Sequence, residues 1–109
     1  MPMWSCESVE SEPSVRLARW KIVEIDAGTR HFVGANALDF TGRVSSAIVE
    51  FDVVTKRGTT RSGRVYQLVG APGQSEDADY VWNRWCIVNS VRSFNDVTRQ
   101  VFSGAGDGG

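Results

Sequence analysis

The segment from Gly42 to Gly70, GRVSSAIVEFDVVTKRGTTRSGRVYQLVG, constrains the fold more than any other part of the chain. Over Ser45–Val54 the apolar residues alternate, with Ala47, Val49, Phe51 and Val53 on one side and Ser46, Ile48, Glu50 and Asp52 on the other. That period of two predicts a half-buried antiparallel strand with one wet face. Thr55-Lys56-Arg57-Gly58-Thr59 places glycine where a bulged hairpin turn needs it. Thr60–Val69 then returns as a second strand, with Tyr66 and Leu68 as its inward pair. Two strands joined by so short a turn are expected to pair with each other.

The flanking segments extend this sheet. Arg16–Ile25 is rich in strand formers, with Ala18, Trp20 and Ile22 on one face and a slip to Val23 and Ile25, the mark of a bulge or of burial on both faces. Asp26–Thr29 reads as a turn, Arg30–Ala37 as a further strand and Asp39–Arg43 as a loop. After the break at Gly70-Ala71-Pro72-Gly73 the pattern changes to helical. Ser75 is an N-cap, and Glu76 and Asp77 supply the acidic first turn that suits the helix dipole. Ala78, Val81, Trp82, Trp85 and Cys86 then recur on one face and leave Asp79, Asn83 and Arg84 towards water, predicting a helix over 75–89. Val97–Phe102 fits either period; its threonine and valines favour a last strand. The expected class is α+β: a curved antiparallel sheet of four or five strands, at its most curved a partial barrel, with one helix packed on it.

The organisation is that of one domain. Residues 1–14 form an acidic tail with Glu7, Glu10 and Glu12, residues 103–109 a Gly-rich tail, and 15–102 the folded unit. The two cysteines, Cys6 and Cys86, lack the spacing of a zinc site or redox pair. Neither a signal-peptide pattern nor an apolar run of about 20 residues is present, so a cytoplasmic protein without membrane contact is expected. A formal net charge of −1 removes any global argument for polyanion binding. Locally the charge is segregated. Val53–Ser75 carries Lys56, Arg57, Arg61 and Arg64 and no acid, and Glu76, Asp77 and Asp79 follow at once.

Catalytic constellations are sparse. His31, the sole histidine, would have to meet Cys86 in space to form a nucleophile–base pair, and Cys86 lies on the apolar stripe of its helix. Glu50 and Asp52 alternate on one strand at roughly 7 Å, a spacing also found on any wet strand. No cofactor is indicated. The binding candidates are Lys56, Arg57, Arg61 and Arg64 at the hairpin tip, suited to phosphates or an acidic protein surface, and Tyr80 with Arg84 on the helix, suited to a protein partner.

Three segments, GRVSSAIVEFD (42–52), TRSGRVYQLVG with the following APG (60–73) and DYVWNRWC (79–86), resemble small proteins encoded in phages and mobile elements of proteobacteria. The resemblance spans roughly residues 16–90. It implies a setting and no residue role: accessory genes of this kind often encode inhibitors of host or competing machinery, anti-CRISPR and other anti-defence proteins among them. The expected function is therefore non-catalytic, a phage-type protein that binds and modulates a host protein. The alternatives are a nucleic-acid-binding module using the basic hairpin and a protein that sequesters a small molecule or nucleotide. A homodimer is compatible with each.

Overall fold

In the computed structural model, which describes residues 14–107, the central strand is β1 (Ser14–Ile25). It turns into β2 (Arg30–Asn36), antiparallel to it with Ile22 opposite Phe32. β3 (Gly42–Val44) adds to the far side of β2. Residues 45–47 then carry the chain to β4 (Ile48–Asp52), which opens an antiparallel meander with β5 (Arg57–Thr60) and β6 (Val65–Leu68). β6 lies along β1 and parallel to it, Val65–Leu68 opposite Ser14–Leu17. The pairings make β3 and β4 run the same way, so the chain makes five up-and-down passes and the fifth must run with the first. The expected all-antiparallel sheet is thereby corrected to a mixed one.

The hydrogen-bonded path β3-β2-β1-β6-β5-β4 is not closed, yet its two ends are joined by only residues 45–47. The sheet therefore curls on itself. Phe32 of β2 meets Phe51 of β4 with ring centroids 5.6 Å apart. Gly58 makes that approach possible, because a Cβ there would sit 2.6 Å from Phe32 Cζ. Inside the curl lie Val15, Leu17, Trp20, Ile22, Phe32, Tyr66 and Leu68. Burying each of the larger side chains contributes about 1.5–3 kcal/mol relative to exposure.

Beyond β6 come α1 (Glu76–Val88), β7 (Phe94–Asp96) and α2 (Thr98–Asp107). α1 starts as the sequence requires, with the Ser75 hydroxyl accepting from the Ala78 N–H. Its Ala78 and Trp82 cover Val23 and Val33 on the outer face of the sheet. Contact with β3 is so close that a Cβ on Gly42 would overlap the Asp77 carbonyl and lie 2.7 Å from Ala78 Cα. α2 instead packs Val101 and Phe102 against the inner cluster, the Phe102 ring 5.5 Å from Trp20.

The edge of β1 that faces β6 is served by three separate stretches of chain, residues 65–69, Gly73 and residues 94–98. Residues 14–17 pair with β6, and the Leu17 carbonyl accepts from Val69 N–H at 3.0 Å. The Trp20 carbonyl accepts from Gly73 N–H at 3.1 Å. The Ile22 carbonyl accepts from Val97 N–H, and the Ile22 N–H donates to the Thr98 hydroxyl, both at 2.8 Å. Val23–Ile25 pair with β7. Arg19, at φ 49, supplies the bulge between Ala18 and Lys21 that turns both Leu17 and Trp20 inward although they are three apart.

Several expectations change. The sheet has seven strands rather than four or five, and there are two helices rather than one. Gly42–Gly70 is not a two-stranded hairpin: Arg57–Thr59, expected as turn, and Thr60, expected to open the return strand, form the middle strand of a meander with turns at both ends. A bulge between Ile48 and Glu50 reverses the expected facing there. Ile48 packs on the core, while Val49 is 63% exposed. Val97–Phe102 fits either period with a strand favoured; from Thr98 on it is helical, with Asp96 Oδ1 accepting from the Thr98 N–H at 2.9 Å, and the expected tail at 103–109 continues that helix through Asp107. Of the residues 1–14 expected as a tail, Ser14 begins β1; residues 1–13 and 108–109 lie outside the described part. Among the described residues no helix is long and apolar enough to cross a membrane.

Candidate functional site

The basic residues do not form one tip. Lys56 closes the β4–β5 turn in a left-handed conformation, φ 59, and its ammonium donates to the Gly70 carbonyl at 3.4 Å. Arg57 opens β5 and donates from Nε to Gln67 Oε1 at 3.2 Å. Arg61 lies in the β5–β6 turn, and Arg64 follows it as a buried residue, 8% exposed. Since β5 has four residues, about 13 Å of strand separates the two pairs. The expected tip is thus corrected to two basic groups at opposite ends of one strand.

Each group belongs to a different surface. Register places Arg57 opposite Gln67 and Gln67 opposite Arg16, so the two arginines flank one glutamine across three strands. The next row is Ser14, Val65 and Thr59. This is the outward side of strands whose alternate residues, Val15, Leu17, Tyr66 and Leu68, fill the core. Arg16 was not a candidate from the sequence; its place between Val15 and Leu17 marks it as outward, but only the pairing shows its neighbours.

Arg61 belongs instead to the mouth of the curl. A cavity of about 340 Å³ opens there between the β1–β2 turn, the start of β4 and α2. Its walls include Ile22, Ile48, Phe51 and Val101, with Thr29, Arg30 and Arg61 adding polar groups. The backbone of Arg61 is held by its N–H donating to the Ala47 carbonyl at 2.7 Å. Arg30 is committed, its Nε 2.9 Å from Glu24 Oε1.

On α1 the expected division of faces holds. Ala78 and Trp82 are buried, and Trp82 stacks on the half-buried Trp85 at 5.2 Å and 12°. Opposite them, Tyr80 and Arg84 are exposed and linked, with Arg84 Nη1 donating to the Tyr80 hydroxyl at 3.4 Å. Ile87 and Val88, 76% and 77% exposed, continue this stripe at helical spacing. Tyr80 and Arg84 are the expected residues of this face; the two aliphatic residues that complete it, Ile87 and Val88, are added by the structure.

His31 is a framework residue by its contacts. The Ser45 carbonyl, 2.9 Å from Nδ1, can only accept, so Nδ1 carries the proton and Nε2 accepts from the Thr29 hydroxyl at 2.8 Å. Burial holds its pKa below the usual histidine value; hydrogen bonds to the Ser45 and Ser46 backbone oppose this, and the Arg61 charge adds to it. Both ring nitrogens are therefore engaged by groups other than Cys86, whose thiol is pushed up by burial and by Asp26. Asp52 spends its carboxylate on the turn, accepting from Val54 N–H at 2.8 Å and Thr55 N–H at 3.3 Å. Among the described residues no group of three His, Cys, Asp or Glu side chains is arranged to hold a metal ion. Comparison of the chain with protein-family models, with curated proteins and with solved structures finds no match.

Proposed function

We propose that this protein is a non-catalytic binding module that engages a protein partner through the exposed stripe of α1. The observation that carries this reading is the exposure of Tyr80, Ile87 and Val88, 63%, 76% and 77%, on the side of the helix opposite Ala78 and Trp82. These side chains add nothing to the core, and leaving three large apolar groups in water on one helix face forgoes the stabilisation that burial gives. A tyrosine and an arginine amid aliphatic residues is the composition that dominates binding hot spots, and an amphipathic helix face is read by an apolar groove on the partner. The resemblance to phage-type proteins supplies the setting, a host protein as the partner. The test is a quantitative pull-down from a proteobacterial lysate with the wild type and Tyr80→Ala/Ile87→Ser as matched baits. A protein held by the wild type and lost by the variant supports the reading; identical captures refute it.

A second reading rests on the row Arg16–Gln67–Arg57, which offers two cations on an open sheet face to a nucleic-acid backbone. It predicts binding of labelled single-stranded DNA or RNA that weakens with salt. Arg16→Gln and Arg57→Gln would each lower the log–log slope by about 0.7. Anisotropy that does not change at low salt refutes it.

A further inference from the structure

We propose that the cavity at the mouth of the curled sheet binds a small amphipathic carboxylate, its apolar tail against Ile48, Phe51 and Val101 and its head group on Arg61. The cavity, about 340 Å³, is within the roughly 300–1,000 Å³ span of small-molecule sites. Its interior is aliphatic and aromatic, so a polar ligand such as a sugar or a nucleoside would leave hydrogen-bonding groups without partners on that side.

The two cations on its wall are not equivalent. Arg30 is paired with Glu24, whereas no carboxylate pairs with Arg61 among the described residues. The backbone of Arg61 is fixed by its bond to Ala47, a residue that itself lines the cavity, so the base of the arginine side chain is held beside the apolar surface. Its field already reaches inward, since the Arg61 charge contributes to the depressed pKa of buried His31. An uncommitted guanidinium at the edge of an apolar cavity suits a ligand with one anionic head on a hydrocarbon or aromatic body, and a planar carboxylate is such a head, bound by guanidinium in bidentate geometry. The Thr29 hydroxyl adds a polar group on the same wall. No residue of α1 lines this site, so its occupancy is separable from docking through the helix stripe.

Calorimetric titration of the full chain with straight-chain carboxylates from hexanoate to dodecanoate, and with the corresponding alcohols, tests the assignment. Affinity is expected to rise about fourfold with each methylene until the cavity is filled, and then to level off. Each acid should bind at least about tenfold tighter than its alcohol, as expected for loss of a charge-assisted hydrogen bond. Arg61→Gln, in an exposed turn, should erase that difference, and Val101→Trp should abolish saturable binding of every member while circular dichroism reports the fold. Absence of saturable binding to the wild type, equal affinity for acid and alcohol, or an unchanged acid affinity in Arg61→Gln each overturns the proposal.

Discussion

Thr98→Val removes the hydroxyl that bonds to the backbone of Ile22 in the edge of β1, as acceptor at 2.8 Å and as a weak donor at 3.5 Å. The Thr98 hydroxyl accepts from the Ile22 N–H at 2.8 Å in a place where Thr98 is 9% and Ile22 1% exposed, so no water can replace it. Valine preserves the shape and removes the acceptor. The Ile22 carbonyl loses the long bond from the hydroxyl but keeps its 2.8 Å bond from Val97 N–H, and the cap from Asp96 to the Thr98 N–H is untouched. The change therefore orphans one buried donor, at a cost of about 1–3 kcal/mol. The added methyl returns up to about 0.8 kcal/mol by burial, which leaves a net loss near 1–2 kcal/mol. Urea unfolding followed by tryptophan fluorescence should show the midpoint falling by about 1 M at an unchanged slope of about 1–2 kcal/mol/M. Amide exchange supplies a local readout: Ile22 should exchange faster than its neighbours in Thr98→Val and stay protected in Thr98→Ser, which retains the hydroxyl. A variant as stable as wild type, with Ile22 still protected, would refute the role assigned to this hydroxyl.

Three further outcomes are expected. Ser90→Gly should raise the melting temperature by a few degrees, about 0.5–1 kcal/mol. Ser90 sits at φ 55 just past α1, where Val91 N–H reaches the Cys86 carbonyl and Ser90 N–H the Ile87 carbonyl, a helix-ending pattern in which glycine adopts that conformation without Cβ strain. Gly42→Ala should destabilise by about 1–3 kcal/mol in thermal melts, since its Cβ meets the backbone of α1 rather than a side chain that can swing away. The wild type should lose stability as pH falls through about 6.5, because the unfolded chain protonates His31 where the fold keeps it neutral; melts between pH 7.5 and 5.5 should show a smaller slope in His31→Gln.

What could be read from the sequence was local chemistry. The start of α1 follows from Ser75 and the acidic residues after it, and the division of its faces from the spacing of Ala78 and Trp82. β5 was missed because Arg57-Gly58-Thr59-Thr60 has no apolar side chain; it is a strand because the curl brings Phe32 onto Gly58, a contact between residues 26 positions apart. α2 was missed because valine and threonine suit both periods, although Asp96 ahead of Thr98 is a capping signal that was open to reading. The candidate sites divide in the same way. Arg57, Arg61, Tyr80 and Arg84 were legible as single polar or amphipathic groups. Their companions, Arg16 beside Gln67, the apolar walls beside Arg61, and Ile87 and Val88 beside Arg84, depend on strand pairing, on the curl and on a helix face read to its end.

The piecemeal edge of β1 also sets an order of events at the ribosome. A nascent chain can pair β1 with β2 as soon as both have emerged, but the opposite edge waits for β6, then Gly73, then β7, and is complete only when Thr98 arrives, 76 residues after Ile22. Until then the longest strand of the protein presents unpaired backbone to its surroundings, an invitation to adventitious strand addition. Closure by contacts so distant in sequence also slows folding. Truncation within α2 or β7 would therefore be felt first in β1, far upstream in the chain, whose edge those segments complete.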